Sequence, residues 1–280
     1  MSLATGFTWT FKGFKLVGFS LGGVTTSVAF PEADVCFDVG QGLPFQIPYT
    51  NILITHGHMD HASGLPYLIG QKSMMGAIPP VVYMPEKLLK PMRDLMRIWS
   101  EIEDHTYTYD FRVPKSDESY PLNGSYFFRT APSFHRVPSQ GYTVFERKKR
   151  LLPQHQGLSP NELGQLRREG HAIDEAYEEA VLSFSGDSTI EFLDHEAVRK
   201  SRVIVMEVTY WDKQKTVENA RLWGHIHLDE LLPRLDSLKC EKLVLIHASG
   251  RYTTPMLKQI LDDRIPEHWK TRVDLFPRSL

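Results

Sequence analysis

The sequence predicts a mixed α/β fold, of α+β character, whose strands end along one common edge. Three observations predict it. Short apolar runs rich in branched and aromatic residues recur from Phe7 to Ile246, as buried strands do. The early runs meander, and the later ones alternate with stretches of helical spacing. Six strand ends carry Asp38, His56, His135, Asp187, Glu207 and His247. Metal-ligand chemistry at so many strand ends makes sense only if the strands converge.

Residues 7–37 alternate apolar and polar and read as two or three antiparallel strands, broken near Ser20-Leu21-Gly22-Gly23. Asp38 follows the last of them. An aspartate beside a glycine is often only a turn residue. If its strand neighbours the next one, Asp38 instead orients a metal-ligating histidine. Asn51-Ile52-Leu53-Ile54 reads as a buried strand, and it runs into Thr55-His56-Gly57-His58-Met59-Asp60-His61. Imidazole and carboxylate suit zinc and its first-row neighbours. Residues two apart in a loop can face one side, so His56 and His58 could hold one ion while Asp60 and His61 reach a second. The alternative is a polar loop that happens to be histidine-rich. With 12 histidines in 280 residues, three within six positions argue against accident.

Residues 62–70 are expected to form a short helix, and 80–84 a strand. Over 85–101, Leu88, Leu89, Met92, Leu95, Met96 and Trp99 recur at helical spacing and read as a core stripe. Residues 107–113 and 125–130 return to strand patterning. His135 follows a strand; taken alone it would be a weak ligand candidate. Residues 141–145 are another strand. Arg147, Lys148, Lys149 and Arg150 then make the densest basic run in the chain. Such runs are usually solvated faces, and these four are the candidate phosphate contacts.

Ser159-Pro160-Asn161-Glu162 reads as a capping box, and its helix should stop at Gly170. The surrounding segment, 146–180, is polar and is expected to form a peripheral arm. Residues 180–188 are a strand turning at Asp187, and 202–208 a strand with Glu207 near its end. Gly224-His225-Ile226-His227 opens a helix expected to reach Leu238. Residues 242–247 form a strand ending in His247, and 253–262 a closing helix. The scattered His105, His155, His171, His195 and His268 are expected at the surface or in local hydrogen bonds.

The net charge of −2 and pI of about 6.6 exclude a generally basic nucleic-acid coat. Two cysteines give no disulfide framework, so a reducing cytoplasm is expected. No apolar run reaches membrane-spanning length, and the first six residues lack signal-peptide character. No membrane partner is expected.

The histidine loop matches the His-x-His-x-Asp-His signature of the metallo-β-lactamase superfamily, and the chain resembles its ribonuclease Z members. The likeness continues through Phe37-Asp38-Val39-Gly40 and the ten residues from Ser133 to Tyr142. It also covers Phe184-Ser185-Gly186-Asp187-Ser188 and the eight residues from Leu245 to Tyr252. It spans roughly residues 15–262. The resemblance implies a four-layer αββα sandwich, one domain over 1–280, with a two-metal site at one edge.

Carried over by position, the resemblance makes His56, His58 and His135 ligands of one ion and Asp60, His61 and His247 ligands of a second. Asp187 would bridge the two, and Asp38 would stand behind them. It implies two divalent ions, zinc or manganese, that acidify a water and clamp a phosphodiester. Asp60 would accept the proton from that water, and the Glu207–His225 pair would protonate the leaving oxygen. It also implies a homodimer.

Three positions depart from the ribonuclease Z wording: Met206 stands for a histidine, and Ile226 and His227 for serine and threonine. Between Phe145 and Val181 there is no Gly-Pro pair of the tRNA-gripping kind. The reading is therefore a dinuclear phosphodiesterase, with the 3′ end of precursor tRNA as one candidate substrate. A small phosphodiester or other ester is a second reading, and a non-catalytic metal-binding homologue a third.

Overall fold

In the computed structural model, residues 5–278 are described. The signal-peptide reading rests mainly on residues 1–4, which lie outside them. The first sheet runs in sequence order through β1 (Phe7–Phe11), β2 (Phe14–Leu21), β3 (Thr25–Phe30), β4 (Val35–Phe37), β5 (Asn51–Leu53), β6 (Val81–Tyr83) and β7 (Asp110–Arg112). The second runs likewise through β8 (Tyr120–Pro121), β9 (Tyr126–Ala131), β10 (Gly141–Leu151), β11 (Asp174–Phe184), β12 (Val203–Glu207), β13 (Lys242–Ile246) and β14 (Val273–Leu275).

Each sheet is antiparallel through its first four strands and parallel through its last four. Meander followed by crossover thus occurs twice, where the sequence pattern suggests it once. The reason is length: β4 to β7 have three residues each, too few to register a periodicity.

The sheets face each other across an apolar layer drawn from both. Phe37 of the first stacks on Phe184 of the second, ring centroids 4.7 Å apart. Leu53 and Val144 are fully buried in the same layer. Helices cover both outer faces, giving the four-layer αββα sandwich. Outside the first sheet lie α1 (Met59–Ala62), α2 (Leu65–Met74) and α3 (Glu86–Glu103). α4 (Pro160–Arg168) sits in the arm between β10 and β11. Outside the second sheet lie α5 (Glu196–Lys200), α6 (Val217–Trp223), α7 (Leu228–Leu231) and α8 (Thr254–Arg264).

Three expected helices change shape. The helix at 62–70 is split into α1 and α2 at Ser63-Gly64, where the chain presses on the Gly40–Gly42 turn. A Cβ on Gly64 would stand 2.0 Å from the Gly42 nitrogen. The helix from 224 to 238 is a short α7 followed by a 3₁₀ stretch, Leu232–Ser237, with Pro at its start. In α3 the expected core stripe is only half realised. Met96 is buried and Leu88, Leu89 and Met92 pack against the core, but Leu95 and Trp99 are 37% and 39% exposed. An 18-residue helix is about 27 Å long, and the three-residue strands beneath it span only about 10 Å. The helix outruns its apolar floor.

β10 and β11 extend past the sandwich as a hairpin closed by α4. Ser159 caps α4 in the expected capping box with Glu162, and Gly170 turns the chain with φ +83°. Among the described residues, no helix is long and apolar enough to cross a membrane.

Candidate metal centre

The sheets bring six strand ends to one rim: Asp38 after β4, His56 after β5, His135 after β9, Asp187 after β11, Glu207 closing β12 and His247 after β13. Asp38 and His247 hold left-handed backbones, φ +54° and +59°. For non-glycine residues that costs about 1–3 kcal/mol each, strain of the kind that gathers at functional sites.

Two donor groups face each other there. His56, His58, His135 and Asp187 form one, and Asp60, His61 and His247 the other; within each, the donor atoms lie within 4.8 Å of one another. Asp187 stands between them. Its Oδ2 is 3.6 Å from His56 Nε2 and 3.9 Å from His135 Nε2. Its Oδ1 is 3.2 Å from His61 Nε2 and 3.3 Å from His247 Nε2. His247 Nε2 is also 3.3 Å from Asp60 Oδ2, and His135 Nε2 is 3.2 Å from His58 Nδ1. The structure thus brings together all seven residues expected as ligands.

The hydrogen bonds behind these groups determine which nitrogens point inward. Asp38 accepts from the Thr55 nitrogen and from Thr55 Oγ1, so the Thr55 hydroxyl proton is committed. His56 Nδ1, 3.0 Å from that oxygen, must donate to it. That leaves His56 Nε2 as a bare acceptor. His61 Nδ1 donates to Asp38 at 2.8 Å and His135 Nδ1 to the Gly224 carbonyl at 2.7 Å. Thr209 donates to Glu207, so His247 Nδ1 donates to Thr209 Oγ1 at 2.9 Å. The Nε2 atoms of His56, His61, His135 and His247 therefore point at carboxylates and at one another. His56 Nε2 and Asp187 Oδ1 are buried without a hydrogen-bond partner. Acceptors crowded on acceptors are costly when dry. Divalent cations satisfy them, and the N/O donor set suits zinc or manganese.

Burial pushes His56, His58 and His135 below the usual imidazole range, which keeps their lone pairs free. Burial would raise the Asp187 carboxyl, but the surrounding His247 and His61 hold it well below the usual range. For His61, burial is outweighed by Asp187 and Asp38, which raise it.

His225 is built differently. Its Nδ1 donates to Glu207 Oε1 at 2.9 Å and is 3.9 Å from Asp187 Oδ2. Burial alone would depress it, yet Glu207 raises it to about 9. Glu207 is fully buried and also accepts from the Ser188 and Ile226 nitrogens and from Thr209. The pair expected from the sequence exists, set beside both donor groups. His225 could join His247 and Asp187 as a third ligand group. Its donated Nδ1 hydrogen bond favours the proton-carrying role instead.

The departures have plain roles. Met206 is buried in the outer core of the second sheet. The Ile226 amide serves Glu207. His227 is the N-cap of α7, accepting from the Asp229 nitrogen while its Nε2 meets the Asp212 carbonyl.

The basic run does not reach this rim. Arg147 to Arg150 lie within β10 and are paired across the hairpin with Glu178, Glu179, Asp174 and Glu175. Each of the four thus has a carboxylate of the arm within reach, while Arg147, Lys149 and Arg150 stay largely exposed. Of the scattered histidines, His105 meets Ser73 and His268 meets Asp236, as expected of local hydrogen bonds. Sequence reasoning missed Thr55 and Thr209, whose only signal was a hydroxyl beside each charged motif.

The family model described as a beta-lactamase superfamily domain matches residues 43–248. The tRNase Z TRZ1 of Arabidopsis thaliana is 30% identical over 254 residues, covering 90% of each chain. A ribonuclease Z of Staphylococcus aureus is 27% identical over 264 residues, covering 80% of this chain and 81% of its own. Human tRNase Z, short form, superposes with a TM-score of 0.58 at 19% identity over 99% of this chain and 96% of its own. With a rim of imidazoles and carboxylates built for divalent cations, the chain belongs to the metallo-β-lactamase superfamily, among its ribonuclease Z-like hydrolases.

Proposed function

We propose that the protein is a dinuclear phosphodiesterase that cleaves RNA at the 3′ end of precursor tRNA. One observation carries the reading: Asp187 turns one oxygen to each donor group while the Glu207–His225 pair stands alongside. His56, His58 and His135 would hold one ion and Asp60, His61 and His247 the other, with Asp187 within reach of both groups. When bound, the ions supply positive charge that acidifies water and offsets charge on phosphate oxygens.

The chain's own groups do the rest. Asp60 keeps its carboxylate partly exposed, held by the Gly23 nitrogen at 2.9 Å, and takes the proton from the attacking water. Glu207 fixes the His225 ring through Nδ1, which leaves its Nε2 proton for the departing oxygen. Asp38 and Thr55 hold His61 and His56 in register. An alkoxide leaving from a phosphodiester needs a proton and a thiolate does not, so the His225 proton favours a phosphodiester, RNA among them, over a thioester.

The groove beside His135 is open to solvent and has Lys87 and Arg136 on its rim. That supports a polymer over a small enclosed ester. The ion we propose is zinc, with manganese as the alternative. A homodimer belongs to the same reading; sedimentation showing only monomer at micromolar concentration rejects that part.

The test offers zinc-loaded and manganese-loaded protein a precursor tRNA and a panel of small phosphodiesters side by side. Release of the 3′ trailer is expected. Turnover confined to the small esters selects the second reading. No turnover even of bis-p-nitrophenyl phosphate, in protein holding two metal equivalents, selects the non-catalytic one.

A further inference from the structure

We infer that Phe134, Arg136 and Trp223 form a stacking platform for one unpaired base next to the scissile phosphate, with Lys87 and Arg136 meeting the adjoining backbone. The inference rests on the RNA reading above and names how the strand is held.

The platform is tied to the chemistry by covalent adjacency and one hydrogen bond. Phe134 and Arg136 flank His135, whose side chain is turned fully into the donor group. Trp223 ends α6, and Gly224 follows it, accepting from His135 Nδ1. Gly224 has φ +71°, and a Cβ there would stand 2.7 Å from His135 Nδ1, so no other residue lets the two segments close up. His225 comes next. Both halves of the platform are therefore latched to the metal rim and to the proposed proton donor.

The surface they present pairs exposed rings with free cations. Phe134 is 51% and Trp223 48% exposed, two large aromatics left in water beside the site. The Arg136 guanidinium lies over the Trp223 ring, 4.4 Å from its centroid. Among the described residues, neither Arg136 nor Lys87 has a carboxylate partner. Nearby Arg221, by contrast, is taken by Glu191 and Glu230. Lys87, Phe134 and Arg136 line an open groove of about 610 Å³ running past His135.

Exposed rings beside free cations are how proteins hold single strands: bases stack on aromatic faces and guanidinium planes, and cations track phosphates. Every base has a π-face, so the platform would hold a base without selecting its identity.

The experiment measures binding of a fluorescently labelled precursor tRNA to metal-loaded full-length protein, with metal content determined for each variant. The same RNA is made with an abasic nucleotide on either side of the cleavage position. In the wild type, one abasic RNA is expected to bind at least about fivefold more weakly than the intact RNA. Trp223→Leu and Phe134→Leu should bind the intact RNA correspondingly weakly and lose that discrimination. Trp223→Phe and Phe134→Tyr, which keep a ring, should restore it. A structural role would not follow ring character in this way. If metal-loaded wild type releases the trailer but does not distinguish the abasic RNAs, the platform is wrong and the RNA reading stands. Discrimination that persists unchanged in both leucine variants also overturns it. If the wild type turns over bis-p-nitrophenyl phosphate but neither binds nor cleaves the precursor, both fall together.

Discussion

The metal rim and the β10–β11 arm are both dense in charge, and they dispose of it in opposite ways. At the rim, lone pairs face anions: His56 Nε2 and Asp187 Oδ1 are buried with nothing to accept from. In the arm, opposite signs alternate across the ladder. Lys148 lies between Glu146 and Glu179, Arg150 meets Glu175, and Arg129 from β9 joins Glu178. The rim is incomplete by itself and needs cations to finish it. The arm is complete already and, being exposed, gains only ~0–1 kcal/mol from each pair. Charge density in a sequence is therefore a poor guide to a binding site. What matters is whether the partner charges are already in the chain.

The sharpest way to break this comparison is at Asp187. Asp187→Ala removes the one carboxylate that serves both donor groups, and both ions should be lost, with turnover falling to background. Elemental analysis reads the result. Two equivalents retained in that variant would mean that the rim does not depend on its bridge. His225→Ala should leave metal content intact, because its Nδ1 is engaged by Glu207. It should slow cleavage of substrates with poor leaving groups by about 10²–10⁴-fold and spare p-nitrophenyl esters more. An equal loss on both would mean that His225 does not serve the leaving oxygen.

Thr55 gives a finer test. Thr55→Val keeps the shape and removes the hydroxyl that accepts from His56 and donates to Asp38. Metal affinity, read by competition with a chelator, should fall about 10–100-fold. An unchanged affinity would show that His56 is held by packing alone.

The rim and the arm also differ in how legible they were. His56, His58, Asp60 and His61 sit in one loop, so their spacing betrays them. His135 and His247 are single histidines at strand ends, 112 positions apart, and only sheet order makes them neighbours; the family resemblance supplied that, and periodicity could not. The strands β4 to β7 were legible as apolar runs, but at three residues each they are too short for their parallel pairing to show in the pattern. In the arm, the basic run was plain but its neutralising carboxylates were not. Lys148 and Arg150 find theirs 31 and 25 residues downstream, a register fixed only when the hairpin closes. The mixed α/β fold was legible because buried runs and their intervening helices recur, and the resemblance added the four-layer sandwich. The exposure of Leu95 and Trp99 was not, since it depends on the length of strands lying beneath another part of the chain.

The smallest effect belongs to the arm. Lys148→Ala breaks a half-buried surface pair and should cost about 1 kcal/mol, a Tm shift of about 2 °C. Combining it with Glu179→Ala should give back part of that loss, because the two residues are bonded to each other and their effects do not add. If the arm's cations are spent on its own carboxylates, Lys148→Ala should also leave the salt dependence of RNA binding unchanged. A cation that neutralises a phosphate contributes close to one unit to the slope of log affinity against log salt. A slope shallower by about that amount in Lys148→Ala would mean that the hairpin opens its ion pairs to the RNA backbone. The arm would then be an unfinished site like the rim, completed by phosphate where the rim is completed by metal.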